Sequence, residues 1–149
     1  MDLTGIIAIS GKPGLYSVVA QSPNSLIVES IDNGRRMPAF ATDRISALQD
    51  ITMYTIEEDL PLPQIMKNIY DKEGGKAALS HKADMKELRS YVDHVIPNCD
   101  HERIYDSDIR KLIQWYNIMQ SGGVLEEKIK EAAEAEKEEG AKEEKASEE

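Results

Sequence analysis

Five short runs rich in Ile, Val and Thr, each cut off by Gly, Pro or Asn, fill the stretch from Ile6 to Thr55. β-branched and aromatic residues bounded by turn formers read as strands rather than helices. The runs are Ile6 to Ile9, Leu15 to Ala20, Leu26 to Ile31, Arg36 to Ala41 and Ile51 to Thr55. Gly11-Lys12-Pro13-Gly14 and Ser22-Pro23-Asn24-Ser25 supply the turns between the first three, with Pro fixing φ and Gly admitting φ > 0. Asn33-Gly34 is a strong short-range hairpin signal, and Pro38 marks the fourth run as an edge or a bulge. Thr42-Asp43-Arg44-Ile45 reads as a corner or a short helical turn. So many short antiparallel strands hide their edges best by curling. The expectation is a small five-stranded SH3-like or Sm-like barrel over residues 1–58.

From Leu60 the period changes. Ile65, Met66, Ile69 and Tyr70 fall on one helical face after Pro61-Leu62-Pro63, and Gly74-Gly75 is a stop signal. A second helix is expected from Asp84 to Ile96, with Asp84 and Glu87 spaced as a cap and Pro97 beyond its end. A third starts near Ser107 and carries Ile109, Leu112, Ile113, Tyr116 and Met119 to Gly122-Gly123, leaving Trp115 off the stripe to pack a second surface. Residues 59–124 are thus about three helices on or beside the β domain. The fold class is α+β. Residues 125–149 are Glu, Lys and Ala with little to bury, and are expected to be disordered.

Charge narrows the function. The net charge is −10, with eleven Glu and five Lys in residues 126–149, leaving −4 for the rest. Neither part has the basic excess of a protein that neutralises many phosphates, so DNA and anionic lipid are disfavoured. No apolar run approaches the roughly 20 residues that cross a bilayer, and Met1-Asp2-Leu3-Thr4 does not open like a signal peptide. The single cysteine, Cys99, has no internal disulfide partner, in keeping with a cytoplasmic setting.

The motifs that suggest chemistry each have a plainer reading. Ser10-Gly11-Lys12-Pro13-Gly14 lacks the spacing, the Ser or Thr and the helix of a phosphate loop, and is a turn. His94, Cys99, Asp100 and His101 are close in sequence but lack the paired spacing of a structural zinc site. Asp100, Asp106 and Asp108 lack the Gly and closing Glu of a calcium loop, and Asp106, Ser107 and Asp108 suit a helix start. Cys99 beside two histidines would need a third orienting group and an oxyanion hole to act as a nucleophile, and no nucleophile elbow or zinc-protease motif occurs. No metal, cofactor or catalytic activity is expected.

Lys12, Tyr16, Arg35, Arg36 and Phe40, with Arg44 and Tyr54 nearby, form the candidate contact surface, since small barrels bind single strands by stacking bases in a basic groove. Residues 1–55 nevertheless hold four basic and five acidic side chains, which favours a protein partner over RNA.

Ser10 to Val19, with Ile27-Val28-Glu29-Ser30 and Ile45 to Ile51, resembles the N-terminal domain of an uncharacterised family of small bacterial proteins. Tyr105 to Asn117 resembles the helical segment that follows it there. The resemblance runs from about Leu3 to Val124. It implies an architecture of small β domain, helical segment and acidic tail, and no activity. The expected function is therefore a non-catalytic cytoplasmic interaction or adaptor module. An RNA- or ribosome-associated protein is the alternative, and self-association by edge-strand pairing stays open.

Overall fold

The structure, a computed structural model, describes residues 3–12, 14–40 and 42–134. Strands β1 (Ile6–Ile9), β2 (Tyr16–Ser22), β3 (Ser25–Ser30), β4 (Arg36–Phe40) and β5 (Ile45–Ala47) form one antiparallel sheet in the order β4-β3-β2-β1-β5. A 3₁₀ turn (Leu48–Asp50) then leads to a two-stranded ribbon of β6 (Thr52–Met53) and β7 (Leu60–Pro61). Helices α1 (Leu62–Glu73), α2 (Met85–Val95) and α3 (Asp106–Ser121) follow, so the chain is a mixed α+β fold.

β1 is apolar throughout because both its faces are buried. Ile6 and Ala8 meet the helical core, whereas Ile7 and Ile9 join Tyr16, Val28 and Ala39 in a second cluster. Among the described residues that second cluster contains sheet residues only, from β1 through β5, with no helical residue in it. Val28 is nonetheless fully buried, which requires the sheet to curl over its own face. The register shift between Val18 and Ala20 in β2 provides the bend. Among the described residues the edges β4 and β5 do not pair with each other, so the sheet is curled but open.

The fifth strand of this sheet is a correction. Ile51 to Thr55 was the expected candidate, but Ile45–Ala47 pairs with β1 instead, with Ile7 opposite Ala47 and Ile9 opposite Ile45. A three-residue run is too short to show alternation, and it starts at Ile45, the last residue of the expected corner. Thr52–Met53 pairs with Leu60–Pro61 in the separate ribbon.

The main core joins Leu3, Ile6, Leu15 and Leu48 of the N-terminal part to the inward faces of all three helices. Helix α1 ends on Gly74 at φ 62, whose left-handed conformation lets Gly75 N–H donate back to the Tyr70 carbonyl at 3.0 Å. Asp84 precedes α2, but its side chain makes no capping bond. Helix α3 begins at Asp106 rather than after Ser107. Tyr105 is its cap position, and Asp108 Oδ2 accepts from the Tyr105 N–H at 3.2 Å. No helix among the described residues is long and apolar enough to cross a membrane.

The tail expectation is corrected where it can be compared. Residues 124–134 are helical after the Gly122-Gly123 turn, and Leu125 is fully buried in the main core. One buried leucine, worth about 1.5–3 kcal/mol, anchors a segment whose Glu/Lys spacing already favours helix. Residues 135–149 lie outside the described residues.

Candidate functional site

Two clefts meet along α3. The first, about 390 Å³, has a floor of core residues, Met53, Leu62, Ile104 and Leu112, and a rim of Tyr54, Tyr105 and Trp115. Tyr105 is 72% exposed, a large aromatic left uncovered beside an apolar floor. Arg103 lies 4.5 Å over the Tyr54 ring and donates from Nη2 to the Thr55 carbonyl at 2.9 Å, which fixes that rim. Its Nε donates to Asp100 Oδ2 at 2.8 Å, and this bond holds the Asp100 carboxyl below the usual carboxylate range.

The second cleft, about 360 Å³, is walled by the β1–β2 turn, the start of β5 and α3. Lys12, Arg44 and Lys111 line it together with Ser10, Ser46 and Gln114. One backbone bond, Ser10 N–H to the Arg44 carbonyl at 2.9 Å, ties the turn to the residue that precedes β5. No acidic side chain lines it, and none of the three cations makes an ion pair among the described residues. Lys111 and Trp115 line both clefts, so the two form one groove, apolar and aromatic at one end and cationic at the other. Asp108, Lys111 and Trp115 are spaced i, i+3, i+7, a second stripe of α3 that borders the core stripe at Leu112. The position of Trp115 off the core stripe was the signal in the sequence that marked this face.

Of the expected contact surface, Lys12, Arg44 and Tyr54 reach the groove. Tyr16 is 8% exposed inside the curl of the sheet and cannot touch a partner there. Alternation puts Ala39 inward and Arg36 and Phe40 outward on β4, and Phe40 is 50% exposed. Arg35, Arg36 and Phe40 line neither cleft.

The cysteine–histidine cluster is real but differently composed. Asp93, Cys99 and His101 bring ligand atoms within 4.8 Å of one another, whereas His94 is exposed and lines a separate hollow on α2. Arg89 Nη1 lies 3.0 Å from His101 Nδ1, and an arginine can only donate. The ring proton therefore sits on Nε2, which donates to Asp93 Oδ1 at 2.5 Å. A metal on Nε2 would displace that proton to Nδ1, against the Arg89 donor. Arg89 also binds Asp106 Oδ1 at 2.7 Å and the Ile104 carbonyl at 3.1 Å, clamping α2 to the start of α3. Burial, with Asp93 nearby, pushes the Cys99 thiol up, away from a reactive thiolate. The cluster is a structural joint.

Fold and groove together define a class: a small curled β sheet and a helical layer sharing one core, with an open cleft where they meet. Residues 3–48 match the family model described as "Domain of unknown function (DUF5606)", and residues 51–119 match "Domain of unknown function (DUF6852)". A solution NMR structure of a protein from Bacteroides vulgatus, determined by a structural genomics consortium, is 43% identical to this chain. The match covers 82% of this chain and 88% of that one, with a TM-score of 0.69. The chain belongs to the same family as this relative, and both domains of unknown function are matched within it. No curated protein matches it.

Proposed function

We propose that this protein is a non-catalytic interaction module whose groove between the curled sheet and α3 receives an extended segment of a partner protein. The observation that carries this reading is the aromatic rim of Tyr54, Tyr105 and Trp115 over an apolar floor. Exposed aromatics beside a desolvated floor are what interface anchors use. Each cleft falls within the roughly 300–1,000 Å³ of ordinary ligand sites, which suits side chains better than a folded surface. A net charge of −10 repels a polyanion over the ~8 Å screening length, so a long RNA strand is the weaker reading. The sheet itself we read as a small barrel of the SH3-like or Sm-like kind, supported by β5 returning beside β1 and by the self-buried second cluster. Its edges are blunted by Pro38 on β4 and by the three-residue β5, which argues against rings made by strand pairing.

Selection from a random dodecamer peptide library tests the reading. Trp115, the single tryptophan, reports occupancy through its emission. Selected peptides should carry Leu, Phe or Trp anchors, and Tyr105→Ala should weaken them by roughly thirtyfold, as truncation of an aromatic hot spot does. Selection of no peptide, with a mixed-sequence single-stranded RNA changing Trp115 emission, would replace this reading with the RNA one.

A further inference from the structure

We infer that the cationic end of the groove, bounded by Lys12, Arg44 and Lys111, binds an anionic group, carboxylate or phosphoryl, carried by the partner segment; the inference rests on the groove being the binding site. The chain has 28 acidic residues against 18 basic ones, yet no carboxylate of the described residues lines this cleft. Three like charges, from the β1–β2 turn, the residue before β5 and α3, share the cleft, and within the described residues none of them makes an ion pair. An anion would pair with them. The backbone amides of Ser10 and Lys12 are already spent on the Arg44 and Ile9 carbonyls. Recognition therefore falls to the three cations, the hydroxyls of Ser10 and Ser46, and the Gln114 amide. Continuity through Trp115 places the anion next to the apolar anchors, so the partner would present hydrophobic residues followed or preceded by acidic ones.

The test titrates hexaglutamate peptide and, separately, inorganic phosphate into the full-length ¹⁵N-labelled protein. Hexaglutamate should shift the amides of Ser10, Gly11, Lys12 and Arg44 and change Trp115 emission. If inorganic phosphate alone does so, the group is phosphoryl. Arg44→Glu with Lys111→Glu should weaken binding by about tenfold or more, the size expected for lost charge-assisted bonds. Lys12→Gln gives a milder variant for the case in which the double variant is poorly folded. Arg35→Glu with Arg36→Glu should leave binding unchanged. Shifts spread over all basic residues, no shifts at all, or tighter binding of oligouridylate than of hexaglutamate would overturn the inference. Neither probe carries an apolar anchor, so this titration can fail while peptide selection succeeds, or succeed while selection fails.

Discussion

Tyr116 is fully buried, and its hydroxyl donates to the Lys76 carbonyl at 2.7 Å, pinning the loop between α1 and α2. Tyr116→Phe should cost about 1 kcal/mol in urea unfolding without changing the slope. Burial raises its pKa from 10.0 to about 12, and Tyr91, whose hydroxyl donates to Glu73, moves the same way. The native state thus holds these protons more tightly than the unfolded chain. Their contribution is intact below pH 10; that of Tyr116 drains away as pH rises toward about 12, and that of Tyr91, raised further, goes on falling beyond it. Urea midpoints should fall steeply over that range, and the double variant Tyr91→Phe, Tyr116→Phe should flatten the fall. Cys99 gives a second expectation. Iodoacetamide at neutral pH should alkylate it at least about tenfold more slowly than free cysteine, and an equal rate would contradict a buried thiol. Proximity of Cys99 and His101 in sequence left open whether they meet; the structure brings them together with Asp93, which the sequence did not single out. Adjacent residues of a helix point about a third of a turn apart, so Asp93 and His94 face different surroundings.

The elements were legible wherever their period ran long enough. The apolar stripes of α1, α2 and α3 stand where Ile65, Val92 and Ile113 placed them, and β1 to β4 lie within a residue or two of the runs that suggested them. Ile45–Ala47 and the 124–134 helix were missed, the first for its length and the second because Leu125 is its main apolar anchor. The eleven residues between α1 and α2 show no regular pattern. Side chains of α3 hold them, with Asn117 accepting from the Ala78 N–H at 2.8 Å and Arg110 donating to the His81 carbonyl at 2.6 Å. The end of α3 meets the sheet closely. A Cβ on Gly122 would come within 2.8 Å of Ile31 Cγ2, a branched methyl with little room to move. Gly122→Ala should therefore destabilise by about 1–3 kcal/mol despite its better helix propensity, and Ile31→Ala in the same chain should recover part of the loss.

At the scale of the molecule, the two matched family regions are not two cores. Leu3, Ile6, Leu15 and Leu48 from residues 3–48 sit in one cluster with Ile65, Val92 and Tyr116 from residues 51–119. Trp115 fluorescence and far-UV circular dichroism should thus report one coincident unfolding transition, and two separate transitions would show that the sheet folds alone. The groove exists only at this scale, since its walls come from the β1–β2 turn, β5, β6 and α3.

Sequence alone determined what depends on neighbours within a turn or two of chain: strand runs and their turn residues, helical stripes, helix stops and the uneven charge. Tertiary structure decided which strand closes the sheet edge, which way Tyr16 points, and that Lys12, Arg44 and Lys111 share a cleft. Those outcomes are set by packing between residues tens of positions apart, where periodicity carries no information and only burial of the shared core fixes who meets whom.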